Sequence, residues 1–132
     1  MLSLREVDPP EREPGRVLVR GCAASVNPLD WRLMRADPFL VRLERGFFKP
    51  TSNGLGADFS GVVESAAEDV TEWKPGDAVF GIMAPEIVGS FAEYVSIPGN
   101  ALVRKPDSLS HPQAATPGVA ALTAWGFSKP WP

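Results

Sequence analysis

One cysteine, one histidine and one tyrosine occur among 132 residues. A single thiol excludes an internal disulfide framework. One cysteine with one histidine cannot furnish a closed structural zinc site, which takes four such ligands. Cationic charge is not in excess either: 13 lysines and arginines face 16 aspartates and glutamates, for a net charge of -3. That balance leaves no electrostatic footprint for nucleic acid or an anionic membrane. Long apolar runs are also missing. The longest stretch without a charge, from Ser108 to Ser128, is broken by His111, Pro112, Gln113, Pro117 and Gly118, so it cannot span a bilayer. Arg5, Glu6 and Asp8 stand where a secretory leader needs an apolar core. The expectation is a soluble chain of a reducing compartment, cytoplasmic, with the mitochondrial matrix as the eukaryotic variant.

What the sequence has in plenty is punctuation, 14 prolines and 12 glycines without period or low complexity. Pro14-Gly15, Pro75-Gly76, Pro98-Gly99 and Pro117-Gly118 each predict a turn. Proline presets the backbone for the second turn position, and glycine accepts the positive φ of the third. Between them lie runs of strand chemistry at residues 16–26, 58–65, 78–83, 91–97 and 101–104. Such short strands with mostly non-helical connections predict a mainly β domain, an antiparallel and partly open barrel with a few short helices. Two helices are expected within residues 27–48, because Asn27-Pro28 and Asp37-Pro38 each pair an N-cap residue with a first-turn proline. In the second, Leu40, Leu43 and Phe47 share a face while Arg42 and Arg45 point away. A last helix opens after Pro117-Gly118 and is stopped by Pro130 and Pro132.

Few residues carry chemistry on their own pattern. Residues 54–59 match half of a dinucleotide fingerprint, but Phe59 occupies the third glycine position and a strand follows instead of a helix. A glycine-rich strand entry is the expected role. Cys22, between Gly21 and Ala23, reads as a small buried hydrophobe, and His111, before Pro112, as a surface loop residue. Asn27 to Asp30 admits two readings. One is capping, with Asp30 at the positive end of the helix dipole. The other is a helix start that turns polar groups toward a docked cofactor. Tyr94 is either a proton donor or a residue of a wet sheet face. Arg32, Arg35, Arg42, Arg45 and Lys49 form a basic strip, either a solvated face or an attraction for a phosphate-bearing ligand or partner.

In chain order the motifs are Ala23-Ala24-Ser25-Val26-Asn27-Pro28-Leu29-Asp30-Trp31, Gly56-Ala57-Asp58-Phe59-Ser60-Gly61-Val62-Val63 and Trp73-Lys74-Pro75-Gly76-Asp77-Ala78-Val79-Phe80-Gly81. Gly89-Ser90-Phe91-Ala92-Glu93-Tyr94-Val95, Gln113-Ala114-Ala115 and Leu122-Thr123-Ala124-Trp125 follow. This set resembles the medium-chain dehydrogenase/reductase superfamily and, within it, the zinc-independent quinone oxidoreductases, including the reticulon-interacting mitochondrial type. The resemblance implies a GroES-like domain of the alcohol dehydrogenase N-terminal type over residues 1–127, a tail at 128–132, and no Rossmann domain in these residues. In zinc-dependent members a Cys and a Gly-His-Glu supply and surround the metal. The corresponding positions here look like Asn27, Asp58 and Phe59, which implies no zinc. The resemblance also implies NADPH as cofactor, Asn27 and Asp30 as the catalytic candidates with Asp30 supporting Asn27, and Asn27, Pro28 and Thr123 as cofactor-binding residues. Some alkene reductases of the group carry a donor tyrosine in the loop that here holds Phe39.

The implied function is the substrate side of a zinc-free NADPH-dependent oxidoreductase. It would reduce a quinone, or an activated alkene or carbonyl, by hydride transfer and be inactive alone. The alternative is a stand-alone GroES-like binding module without catalysis. The implied partners are a small-molecule substrate and either a separate cofactor-binding domain or a second copy, met through Val119, Leu122, Trp125 and Phe127.

Overall fold

Strands form where apolar residues alternate. On β1 (Arg16–Ser25) Val17 and Val19 are buried while Arg20 is exposed. β2 (Asp58–Ala66), β3 (Ala78–Ile82), β4 (Tyr94–Pro98) and β5 (Leu102–Arg104) complete an antiparallel sheet of order β4-β1-β2-β3-β5. The computed structural model describes residues 3–11, 13–35, 54–83 and 89–128. The helix expected at Asp37-Pro38 lies outside them, with Phe39, Leu40, Arg42, Leu43, Arg45, Phe47 and Lys49. Val17, Val19, Phe59, Val63, Trp73, Val79, Met83, Val95, Ile97 and Leu102 make one core. Each fully buried valine contributes about 1.5–3 kcal/mol by leaving water. Trp73 satisfies its indole by donating Nε1–H to the Gly99 carbonyl at 2.8 Å, and the Arg104 guanidinium lies over its ring. Among the described residues no ladder joins β4 to β5, which agrees with a partly open barrel.

Two of the four Pro-Gly pairs make the expected turns, with Gly15 at φ 73° and Gly76 at φ 95°. The other two do not. Pro98-Gly99 enters a 3-10 turn, Gly99–Ala101, and Pro117 opens a helix. Cys22 is also corrected, because it is exposed. The β1–β2 register shifts between Gly21 and Ala23, so Cys22 is the extra residue of a bulge and has no partner across the ladder.

Among the described residues three helices attach to the sheet: α1 (Pro28–Arg35), α2 (His111–Ala114) and α3 (Pro117–Ser128). α2 begins with a reciprocal capping box, Ser110 answering the Gln113 N–H and Gln113 the Ser110 N–H. On α1, Arg32 and Arg35 both lie 5.8 Å from the Trp31 ring centroid. Among the described residues no helix is long and apolar enough to cross a membrane. The end of β1, the start of β2 and the end of β3 meet at one edge of the molecule, since Ser25, Asp58 and Ile82 are register partners. α1 leaves from that edge and α3 arrives at it.

Candidate functional site

The first four residues of β2 are all buried, so both of its faces are covered there and any polar side chain must find a partner inside. Asp58, 0% exposed, finds three among the described residues. Its Oδ2 accepts from Ser25 Oγ at 3.0 Å and from Asn27 Nδ2 at 3.0 Å, and its Oδ1 accepts from the Val119 backbone N–H at 3.0 Å. One carboxylate therefore ties the end of β1, the head of α1 and the head of α3 together. Gly118 makes the approach of α3 feasible, because a Cβ there would overlap the Asp58 carboxylate and Ile82.

Asn27 is also buried, and its amide does something other than cap. Nδ2 donates to Asp58 and, at 3.2 Å, to Ser25 Oγ. The cap comes from the opposite direction: Asp30 Oδ2 accepts the Asn27 backbone N–H at 2.6 Å, and the Asp30 N–H donates to the Asn27 carbonyl at 3.0 Å. The expected N-cap thus becomes half of a capping box, run by the third helical residue while the asparagine side chain is drawn away by the buried charge. The other oxygen of Asp30, Oδ1, is buried and has no partner among the described residues.

The structure brings Asn27 and Asp30 together as expected. Pro28 is exposed beside them in the first turn of α1. Thr123 lies on α3, the helix whose head is held by Asp58, and is exposed. Phe59 separates from the others. Alternation along β2 sends it into the core while Asp58 turns to the helices, so Phe59 is no part of the site.

His111 departs from the surface-loop expectation as well. It opens α2, and its Nδ1 lies 2.8 Å from the Oγ of Ser60, itself 0% exposed. Ser60 donates its one proton to the Val79 carbonyl at 2.9 Å, so His111 Nδ1–H is the donor to Ser60. Burial, with Lys105 adding to it, holds the imidazole below its ordinary pKa. Sequence reasoning missed Ser25, Asp58 and the Ser60–His111 pair as parts of one frame. The available signal was the apolar, two-sided start of β2, in which Asp58 and Ser60 are the polar exceptions.

Comparison with known proteins follows the same residues. Residues 13–107 match the model of the alcohol dehydrogenase GroES-like domain. The chain is 40% identical over 122 residues to a mitochondrial NAD(P)H oxidoreductase of Homo sapiens, covering 85% of this chain and 30% of that protein. It is 34% identical over 134 residues to a trans-enoyl reductase of Thermothelomyces thermophilus, covering 94% and 32%. The quinone oxidoreductase structure from Coxiella burnetii superposes with a TM-score of 0.82 at 34% identity, over 94% of this chain and 38% of that one. The chain thus spans about a third of the length of the relatives it matches. Sheet order, motif placement and these matches agree, and the chain belongs to the alcohol dehydrogenase GroES-like domain family, within the medium-chain dehydrogenase/reductase superfamily.

Proposed function

We propose that these residues are the substrate-side domain of a zinc-free, NADPH-dependent oxidoreductase that reduces quinones, or activated alkenes and carbonyls, by hydride transfer. The observation that carries this reading is the hydrogen-bonded set Ser25, Asn27 and Asp58. An amide nitrogen has no lone pair to give a metal, and both oxygens of Asp58 already accept hydrogen bonds from the protein. Among the described residues no three histidine, cysteine, aspartate or glutamate side chains converge. A set without thiolate or imidazole supports the zinc-free reading, and no step is routed through zinc.

A nicotinamide cofactor fits better. Asp30 Oδ1 is a buried acceptor with no partner among the described residues, and Asn27 and Pro28 stand beside it at the head of α1. Asn27 would meet the nicotinamide ribose and the substrate, Pro28 would line the same turn, and Thr123 would meet the nicotinamide end from α3. NADPH supplies the hydride when bound. This chain's part is to hold acceptor and donor in register, and such positioning is worth on the order of 7 kcal/mol or more. The names of the NAD(P)H oxidoreductase and quinone oxidoreductase relatives support the cofactor and substrate class.

Reduced nicotinamide mononucleotide carries the reactive half of NADPH without its adenosine, and it tests the reading on the chain itself. Titrated into the 15N-labelled protein at millimolar concentration, it is expected to shift the amide signals of Asn27, Asp30 and Thr123. Those of Glu13 and Asn100, near the opposite end of the sheet, should stay in place. Shifts confined to that opposite end, or none at tens of millimolar, would remove the reading.

A further inference from the structure

A carboxamide has a donor end and an acceptor end of nearly the same shape, and its surroundings decide which end a ligand meets. Around Asn27 that decision is made by Asp58. Nδ2 donates toward Asp58 Oδ2 at 3.0 Å and Ser25 Oγ at 3.2 Å, two oxygens that lie 3.0 Å from each other on the same side of the amide nitrogen. Ser25 cannot reverse its role, because its own proton goes to Asp58 Oδ2 at 3.0 Å. Turning the amide over would set Oδ1 against a carboxylate oxygen in a site where Asp58 is wholly buried, leaving acceptors facing one another with no hydrogen between them.

We propose that Asp58 is a positioning residue that fixes the polarity of Asn27, so that the site presents the acceptor Oδ1 and takes a hydrogen-bond donor, a hydroxyl or primary carboxamide, in place of an anion. This rests on the reading of Asn27 as a ligand contact given above, and adds to it which atom makes the contact and what sets it. Asp30 supports the same polarity. The head of a helix ordinarily attracts an anion, but here the Asn27 N–H is already answered by Asp30 Oδ2. The neighbouring oxygen, Asp30 Oδ1, is a second acceptor, on a residue only 4% exposed, with no hydrogen-bond partner among the described residues. Two acceptors and a buried carboxylate repel phosphate and carboxylate groups and favour O–H and N–H donors. Through the Val119 N–H, Asp58 also holds the head of α3, so the helix bearing Thr123 is set by the same group that sets Asn27.

Side-chain amide exchange reads the lock directly. In the 15N-labelled 132-residue chain, the Asn27 side-chain proton directed at Asp58 and Ser25 should exchange about tenfold or more slowly than those of the exposed Asn100 in the same spectrum. Asp58→Asn should abolish the difference and weaken reduced nicotinamide mononucleotide by about tenfold. Ser25→Ala keeps the carboxylate, so the Asn27 proton directed at Asp58 stays protected. Asn27 protons that exchange like those of Asn100 in the unaltered chain overturn the proposal. So does a folded Asp58→Asn chain that keeps both protection and affinity. Where Asp58→Asn does not fold, the unaltered chain and Ser25→Ala decide. Should the exchange pattern hold while the nucleotide moves no signal in any chain, the nicotinamide reading falls and the positioning of Asn27 by Asp58 stands.

Discussion

His111 is the one side chain here that changes charge near neutral pH, and the fold sets the direction of its effect. Burial, then Lys105, holds its folded pKa below the ordinary 6.5. Below that ordinary value the unfolded chain takes up a proton that the folded chain resists. Stability from this group is therefore complete above pH 6.5 and is lost as pH falls through the folded pKa. The urea midpoint is expected to be level from about pH 8 to 7 and to decline from about pH 6.5 to 5. His111→Asn should flatten that decline relative to the unaltered chain. A midpoint that rises on acidification, or an equal decline in both chains, would show that His111 is not the group responsible. The sequence placed Asn27 and Asp30 at a helix head, because a cap is read from four neighbouring residues. It did not show what Asn27's side chain would do, or that His111 would be anchored. The partner of Asp58 on α3 is 61 residues away, and that of His111 is 51 residues away, beyond any local pattern.

At the scale of elements, α3 poses a contrast between two of its own glycines. Alanine exceeds glycine in a helix by about 1 kcal/mol, so a Gly→Ala change is ordinarily stabilising. Gly126 has open space where a Cβ would go, and Gly126→Ala is expected to raise stability by up to about 1 kcal/mol. Gly118 has the Asp58 carboxylate and Ile82 there, so Gly118→Ala must push the head of α3 off Asp58 and is expected to cost about 1–3 kcal/mol. Equal signs for the two variants in denaturant titrations would refute the docking of α3 on Asp58. The same helix shows why the Pro-Gly pairs were only half informative. A proline followed by glycine fits the middle of a turn, and proline is equally at home in the first turn of a helix. Distant packing chose between them, at Asp58 for Pro117-Gly118 and at Trp73, whose indole bonds the Gly99 carbonyl, for Pro98-Gly99. Strand positions were legible because β1 and β4 carry their own alternation of buried and less buried residues.

Taken as a whole molecule, the sheet gathers Ser25, Asn27, Asp30 and Asp58 at one end. Residues 54–59 lead into β2 and not into a helix, so they offer no helix-borne loop for a pyrophosphate. Ala120, Ala121, Leu122, Thr123, Ala124 and Trp125 on α3 are all exposed beside the site. On the substrate-side reading proposed above these residues supply one wall of the site, and if positioning of the nicotinamide is worth on the order of 7 kcal/mol, its loss forfeits a factor of about 10^5 in rate. These 132 residues by themselves are therefore expected to oxidise NADPH no faster than buffer does when offered a panel of quinones. The measurement is absorbance loss of NADPH with purified chain at high micromolar concentration. Quinone-dependent oxidation that co-elutes with the chain on sizing and vanishes in Asn27→Ala would overturn this expectation. It would mean that Asn27, Asp30 and the face of α3 hold the nicotinamide without a second wall, and that the exposed helix is part of a complete site.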